Sequence, residues 1–136
     1  MKQSGFTLIE MMVVVVILGI LAALVVPNII SRPEEARIVK ARQDVHAIQN
    51  ALELYKLDNE YYPSTEQGLM ALVVKPTSSP IPTNWNNYLK SLPKDPWGQP
   101  YLYLNPGQHG DVDVYSNGPN GQSDHEEGQI GNWDTE

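Results

Sequence analysis

Glu10 is the first side chain whose setting demands chemistry. It is a lone charge in an apolar stretch that covers Phe6 to Ile9 and resumes, unbroken, from Met11 to Val26. An ionised carboxylate in such a zone costs on the order of 2.5–3.5 kcal/mol and requires a partner. If the chain is cut between Gly5 and Phe6, the new α-ammonium lies one helical turn from Glu10. It would pair with the Glu10 of a staggered neighbour, so that lateral assembly neutralises both charges.

The second chemical setting lies near the C-terminus. Residues 116–129 are polar, glycine-rich and too irregular for helix or strand. Oxygen side chains at Asn120, Asp124, Glu126 and Glu127, with carbonyls exposed by the Gly and Pro turns, suit a hard cation that takes roughly six to eight oxygens at about 2.3–2.6 Å. Calcium is therefore the expected cofactor, and it would fold the loop. The alternative is a solvated acidic loop. His125 stands beside these acids but lacks further ligands at zinc spacing.

Other chemistries have little support. The chain has 136 residues and no cysteine, which removes disulfides, thiolate chemistry and cysteine-based zinc sites. Its net charge of −7 is concentrated at one end: residues 1–110 hold 9 bases against 9 acids, and residues 111–136 hold 7 acids and no base. No basic patch with interleaved aromatics offers a footprint for nucleic acid. No glycine-rich phosphate loop ending in Lys-Ser/Thr is present. A membrane-tethered periplasmic enzyme built on the clustered carboxylates and His125 would need a scaffolded nucleophile or base pair, which a mobile glycine-rich loop does not provide. A binding module would need a concave pocket, which the sequence does not reveal.

The elements that must position these groups follow from periodicity. From Phe6 to Val26 a helix would be roughly 30 Å long, the thickness of a bilayer's hydrocarbon core. Lys2 ahead of it favours a cytoplasmic N-terminus and an exported head. Pro27 and Pro33 predict a bend or helix start over residues 26–33. Beyond them Ile38, Ala41, Val45, Ile48, Leu52 and Tyr55 recur at spacings of 3 and 4, one apolar stripe on a helix to about Asn59. His46 beside the stripe reads as a packed or solvated residue. Ser64 or Thr65 is expected to cap a short helix carrying Leu69, Met70, Leu72 and Val73. Residues 76–82 read as an exposed loop ordered by Trp85 and Tyr88. Tyr101–Leu104 and Asp111–Tyr115 read as strands joined by a turn at residues 105–110, with His109 a turn residue. The fold class is α+β: a long N-terminal helix, half membrane-spanning and half amphipathic, packed on a small antiparallel sheet.

Three sets of residues carry a family resemblance. Lys2 to Glu10 (KQSGFTLIE) followed by the apolar run resembles the class III signal of type IV pilin-like proteins. Tyr55–Asn59, Tyr62–Gly68 and Leu92–Gly98 resemble segments of the major pseudopilin of type II secretion, and Ser116–Gly121 with Ile130–Trp133 are similar to the flanks of that family's calcium loop. The resemblance implies that a prepilin peptidase cuts after Gly5 and N-methylates Phe6, with Glu10 setting subunit register. It implies residues 1–5 as leader, 6–30 as transmembrane and filament-core helix, and 31–136 as a periplasmic head. The implied setting is the bacterial inner membrane, crossed once, and a homo-oligomeric filament in the periplasm that helps drive folded proteins across the outer membrane. The implied partners are minor pseudopilins, an inner-membrane assembly platform and the membrane itself, with no nucleic acid and no catalysis. A type IV pilin or minor pseudopilin is the nearest alternative, although classical type IV pilins carry a C-terminal disulfide that this chain cannot make.

Overall fold

The computed structural model describes residues 3–121 and 128–134, and the side chains of these except residues 25–31. Helix α1 runs from Leu8 to Asn59. It starts where Thr7 Oγ1 accepts the N–H of Glu10 at 3.3 Å, satisfying one of the donors that a helix start leaves unpaired. The helical backbone continues unbroken past Pro27 and Pro33, so the helix start that was an alternative there is not found. Each proline removes one donor from the i→i−4 ladder, and the turns on either side carry the helix through. At the other end Glu60 takes a left-handed backbone (φ 73°) and donates its N–H to Lys56 O at 2.7 Å.

The chain divides into two compact units, Met1–Ala36 and Arg37–Glu136. In the first, every side chain from Phe6 to Leu24 is exposed, so this part of α1 is apolar on all faces with nothing covering it. Among the described residues no helix is long and apolar enough to cross a membrane; the apolar run of the sequence continues to Val26, past the last described side chain, Leu24.

In the second unit the 3-to-4 periodicity does what it predicts. Ala41, Val45, Ile48, Ala51, Leu52 and Tyr55 are buried, with Ile38 half-buried at the rim. Of these, Val45, Ile48, Ala51, Leu52 and Tyr55 share one core with Leu69, Ala71 and Leu72 from the segment after the helix, and with Tyr101, Tyr103, Val112 and Val114 from the sheet and its flanks. Burying each Val, Ile or Leu among them contributes roughly 1.5–3 kcal/mol.

The expected cap at Ser64 forms, but the helix it should start does not. Ser64 Oγ accepts Gln67 N–H at 3.1 Å and Gln67 Oε1 accepts Ser64 N–H at 3.0 Å, a closed capping box. Gly68 then turns to φ 64°, which ends the turn, and only a 3-10 turn, Leu69–Leu72, follows. The Gln67 side chain is used again: its Nε2 donates to Ser78 O and Pro80 O, pinning the exposed loop from beneath. Tyr61 Oη also bonds Pro80 O at 3.5 Å, whereas the bonds of Trp85 and Tyr88 go to the 3-10 turn, Trp85 Nε1 donating to Ala71 O at 2.7 Å and Tyr88 N–H to Leu72 O at 3.0 Å.

The sheet has three strands in the order β1 (Leu102–Leu104), β2 (Asp113–Ser116), β3 (Ile130–Gly131), all antiparallel. The second strand starts later than the alternation suggests because Gly107 N–H donates to Asp111 O, which keeps residue 111 in the turn. The third strand was not expected.

Five tyrosines sit in or over this core. Burial is the main cause that pushes the hydroxyls of Tyr55 and Tyr62 up to about 12, and those of Tyr88, Tyr101 and Tyr103 upward as well. Tyr101 also donates to the Asp44 carboxylate at 2.8 Å and Tyr62 to Glu53 at 2.8 Å, bonds that only the neutral phenol can make. An unfolded tyrosine ionises near pH 10, so the folded chain holds these protons where the unfolded chain has lost them. Stability is therefore complete below about pH 10 and falls as pH rises toward 12 and beyond. Each such tyrosine steepens the fall by about 1.4 kcal/mol per pH unit. Denaturant midpoints should be flat from pH 8 to about 10 and then drop together with a rise in tyrosinate absorbance; a midpoint unchanged at pH 12 would contradict the buried-phenol assignment.

Candidate functional site

The predicted site residues fall in two places. Phe6 is 78% exposed and Gly5 has open space around it, so the bond between them is accessible. Glu10 lies in the first turn of α1 and is exposed, surrounded in sequence by exposed Leu8, Ile9, Met11 and Met12. The arrangement is a carboxylate at the head of an uncovered apolar rod. Such a surface has two covers available, lipid or other copies of itself.

At the C-terminal end Asn120 is exposed, while Asp124, Glu126 and Glu127 lie outside the described residues. Among the described residues no group of three or more His, Cys, Asp or Glu is arranged to hold a metal. What the structure does describe is the loop's base. Tyr115 pairs with Gly131 and Ser116 with Ile130, so strands β2 and β3 hold the two ends of the loop together. Gly118, at φ 75°, approaches so closely that a Cβ on it would lie 2.2 Å from Gly128 O.

Two buried carboxylates support this end of the sheet, and neither was singled out from sequence. Asp95 accepts N–H bonds from Trp97 (3.1 Å) and Gln99 (2.7 Å) on Oδ1 and the Ser116 hydroxyl (2.7 Å) on Oδ2. Ser116 Oγ in turn accepts Gly118 N–H at 3.1 Å, so the Asp95 turn is tied to the loop's first residues. Asp113 accepts the N–H of Gln108 at 2.8 Å and that of His109, and its Oδ2 lies 3.0 Å from His109 Nδ1. His109 is in the turn as expected, but it also stacks on Trp133 with ring centroids 3.9 Å apart. The Trp133 ring lies over Gly131, where a Cβ would meet it at 2.5 Å. Asn132 Oδ1 accepts Val114 N–H and its Nδ2 donates to Val112 O. The predicted flank Ile130–Trp133 is thus a clasp that closes the sheet. The only sequence signal for Asp95 is the Asp-Pro-Trp-Gly turn, which marks a bend without naming its distant partner. His46 is exposed, in line with the solvated reading.

Residues 28–133 match the family described as "Type II secretion system (T2SS), protein G", and residues 1–26 match the "Prokaryotic N-terminal methylation motif". The chain belongs to the type II secretion system protein G family. Its relatives include type II secretion system core protein G of Pseudomonas aeruginosa, 62% identical over 98% of this chain and 96% of that protein. The core protein G of Aeromonas hydrophila is 55% identical over 97% of this chain and 93% of its own length, and that of Escherichia coli K12 is 52% identical over 97% and 92%. Among solved structures, the major pseudopilin from the type 2 secretion system of enterohaemorrhagic Escherichia coli matches with a TM-score of 0.71 and 48% identity, covering 80% of this chain and 96% of that one. The family is one of structural pseudopilins rather than enzymes, and the α+β architecture agrees with that neighbour. The two family matches abut at Pro27, so the protein G head and the methylation motif together account for almost the whole chain.

Proposed function

We propose that this chain is the major structural subunit of a type II secretion pseudopilus, inserted in the inner membrane by residues 6–30 with its head in the periplasm. A prepilin peptidase removes residues 1–5 and methylates Phe6. The new α-ammonium then neutralises the Glu10 carboxylate of a neighbouring subunit as protomers leave the membrane for a helical filament. Minor pseudopilins and an inner-membrane assembly platform are the partners, and growth of the filament helps move folded proteins across the outer membrane. The observation that carries this reading is the exposed apolar surface from Phe6 to Leu24, whose single charge is Glu10. Overproducing the chain with a type II secretion system and imaging the cells by electron microscopy tests it. Fibres that vanish when this subunit alone is deleted are expected; fibres that persist without it would point to a different subunit as the major one.

Calcium in the C-terminal loop belongs to the same proposal. The base described above supports it, because the β2–β3 pairing and the close approach of Gly118 to Gly128 bring together the two ends of the segment that carries these four residues. Asn120, Asp124, Glu126 and Glu127 would hold the ion, and its charge would offset the repulsion among the acids. Calcium at about 100 times its Kd should stabilise the protein by roughly 2.7 kcal/mol. Replacing both Asp124 and Glu127 by alanine should abolish that gain in melting temperature. A double variant that still responds to calcium as the wild type does would overturn the ligand assignment.

A further inference from the structure

A loop that gathers several oxygens around one ion binds it more tightly when its backbone is already bent. The described part of the C-terminal loop is bent in advance, and the contacts that bend it lead back to one buried carboxylate. Asn120 stands at the third position of a turn in which Gly121 N–H donates to Gly118 O at 3.3 Å. Gly118 opens that turn with a positive φ of 75° and is buried. Its N–H donates to Ser116 Oγ at 3.1 Å. The Ser116 hydroxyl, 0% exposed, donates in turn to Asp95 Oδ2 at 2.7 Å, and Asp95 is itself only 4% exposed. A continuous line of contacts therefore runs from Asp95 to the turn that carries Asn120.

Asp95 is suited to be the fixed end of that line. Two backbone bonds close its own turn, Asp95 N–H to Gln99 O at 2.8 Å and Gly98 N–H to Asp95 O at 3.0 Å. Lys94 pairs with Pro100 across the same turn, next to Tyr101 of the core. Ser116, by contrast, is the last residue of β2, and Gly118 lies beyond the sheet. Asp95 is the acceptor in all three of its side-chain bonds, from Trp97, Gln99 and Ser116. The one Ser116 hydroxyl proton is thus committed to Asp95, which leaves the Oγ lone pairs for Gly118 N–H. Asp95→Asn would keep an acceptor for Trp97 and Gln99 but turn a donor toward Ser116, whose buried proton then loses its acceptor.

We infer that Asp95 is a positioning residue for calcium: acting through Ser116 and Gly118, it sets the affinity of the loop for the ion. The inference rests on the calcium reading and names a group that controls it. Linkage makes the effect reciprocal, so the bound ion also tightens the Asp95 turn.

Titration of the full chain in detergent with calcium, followed by calorimetry, tests this. Asp95→Asn and Ser116→Ala should each weaken the calcium Kd about tenfold, the low end of what groups behind a metal's ligands contribute. The two residues act through one bond, so the double variant should bind about as weakly as the weaker single one; losses that multiply to about a hundredfold would contradict the line of contacts. A merely structural role would lower the melting temperature with and without calcium and leave the Kd alone, so a Kd within about twofold of wild type in both variants would overturn the proposal. Amide hydrogen exchange on the wild-type chain needs no variant to fold. Calcium should slow exchange at the Trp97, Gln99 and Gly118 amides more than at Tyr88 and Leu89, whose N–H groups bond Leu72 O; equal slowing at both sets would contradict the coupling. A wild-type chain that takes up no calcium would sink the calcium reading itself, an outcome distinct from variants that bind calcium as the wild type does.

Discussion

Asp113→Ala should destabilise the head by about 3 kcal/mol, the scale of removing one partner from a buried charged network. The Asp113 side chain is only 2% exposed, and it accepts the backbone N–H groups of Gln108 and His109. The turn closes tightly around it, since a Cβ on Gly107 would lie 2.6 Å from Asp113 Oδ1. Alanine leaves those donors without their acceptor and opens a space under the turn. The loss should also travel, because His109 is held to Asp113 and stacks on Trp133, which covers Gly131 in β3. For a head of this size about 3 kcal/mol corresponds to a fall in melting temperature of roughly 10–20 °C. Asp113→Asn keeps the shape and one acceptor and should cost about half as much. Thermal unfolding of the two variants checks the order; an alanine variant that melts within about 2 °C of wild type would mean that the carboxylate does not organise the turn.

Glu10→Val should act in the opposite way on two steps. Membrane insertion should become easier, since it removes a carboxylate that costs on the order of 2.5–3.5 kcal/mol in the hydrocarbon region. Filament yield should fall by at least an order of magnitude, because the α-ammonium of the neighbour then enters the core of the assembly without its counter-charge. The split between the steps is what identifies an assembly residue: the variant accumulates in the membrane fraction, cleaved and stable, and does not polymerise. A variant that assembles as well as wild type would remove Glu10 from the mechanism, and one that fails to insert would make it a targeting residue.

What could be read from the sequence divides along physical lines. The apolar stripe from Ile38 to Tyr55 was legible because a helix writes its buried face into local spacing, and its members Val45, Ile48, Leu52 and Tyr55 meet the core. The apolar run from Phe6 and the isolated Glu10 were legible because an unbroken apolar stretch and a single charge within it are features of the local sequence alone. Strand β3 was not, because Ile130–Gly131 has no alternation of its own and exists only through its register with Tyr115 and Ser116. The bond from Ser116 to Asp95 spans 21 residues, and nothing local to either names the other. At Ser64 the local signal was true and its consequence was not: the capping box closed, and the positive φ of Gly68 stopped the helix after one turn. His109 was correctly placed in a turn, while its stacking partner Trp133 arrives from the far end of the chain.

The central claim is that the N-terminal helix is a processed assembly device. Mass spectrometry of the protein extracted from the inner membrane of cells with a prepilin peptidase tests it most directly. The mass should correspond to a chain that begins at Phe6 and carries one added methyl group. A mature protein that retains Met1 to Gly5 would contradict the account.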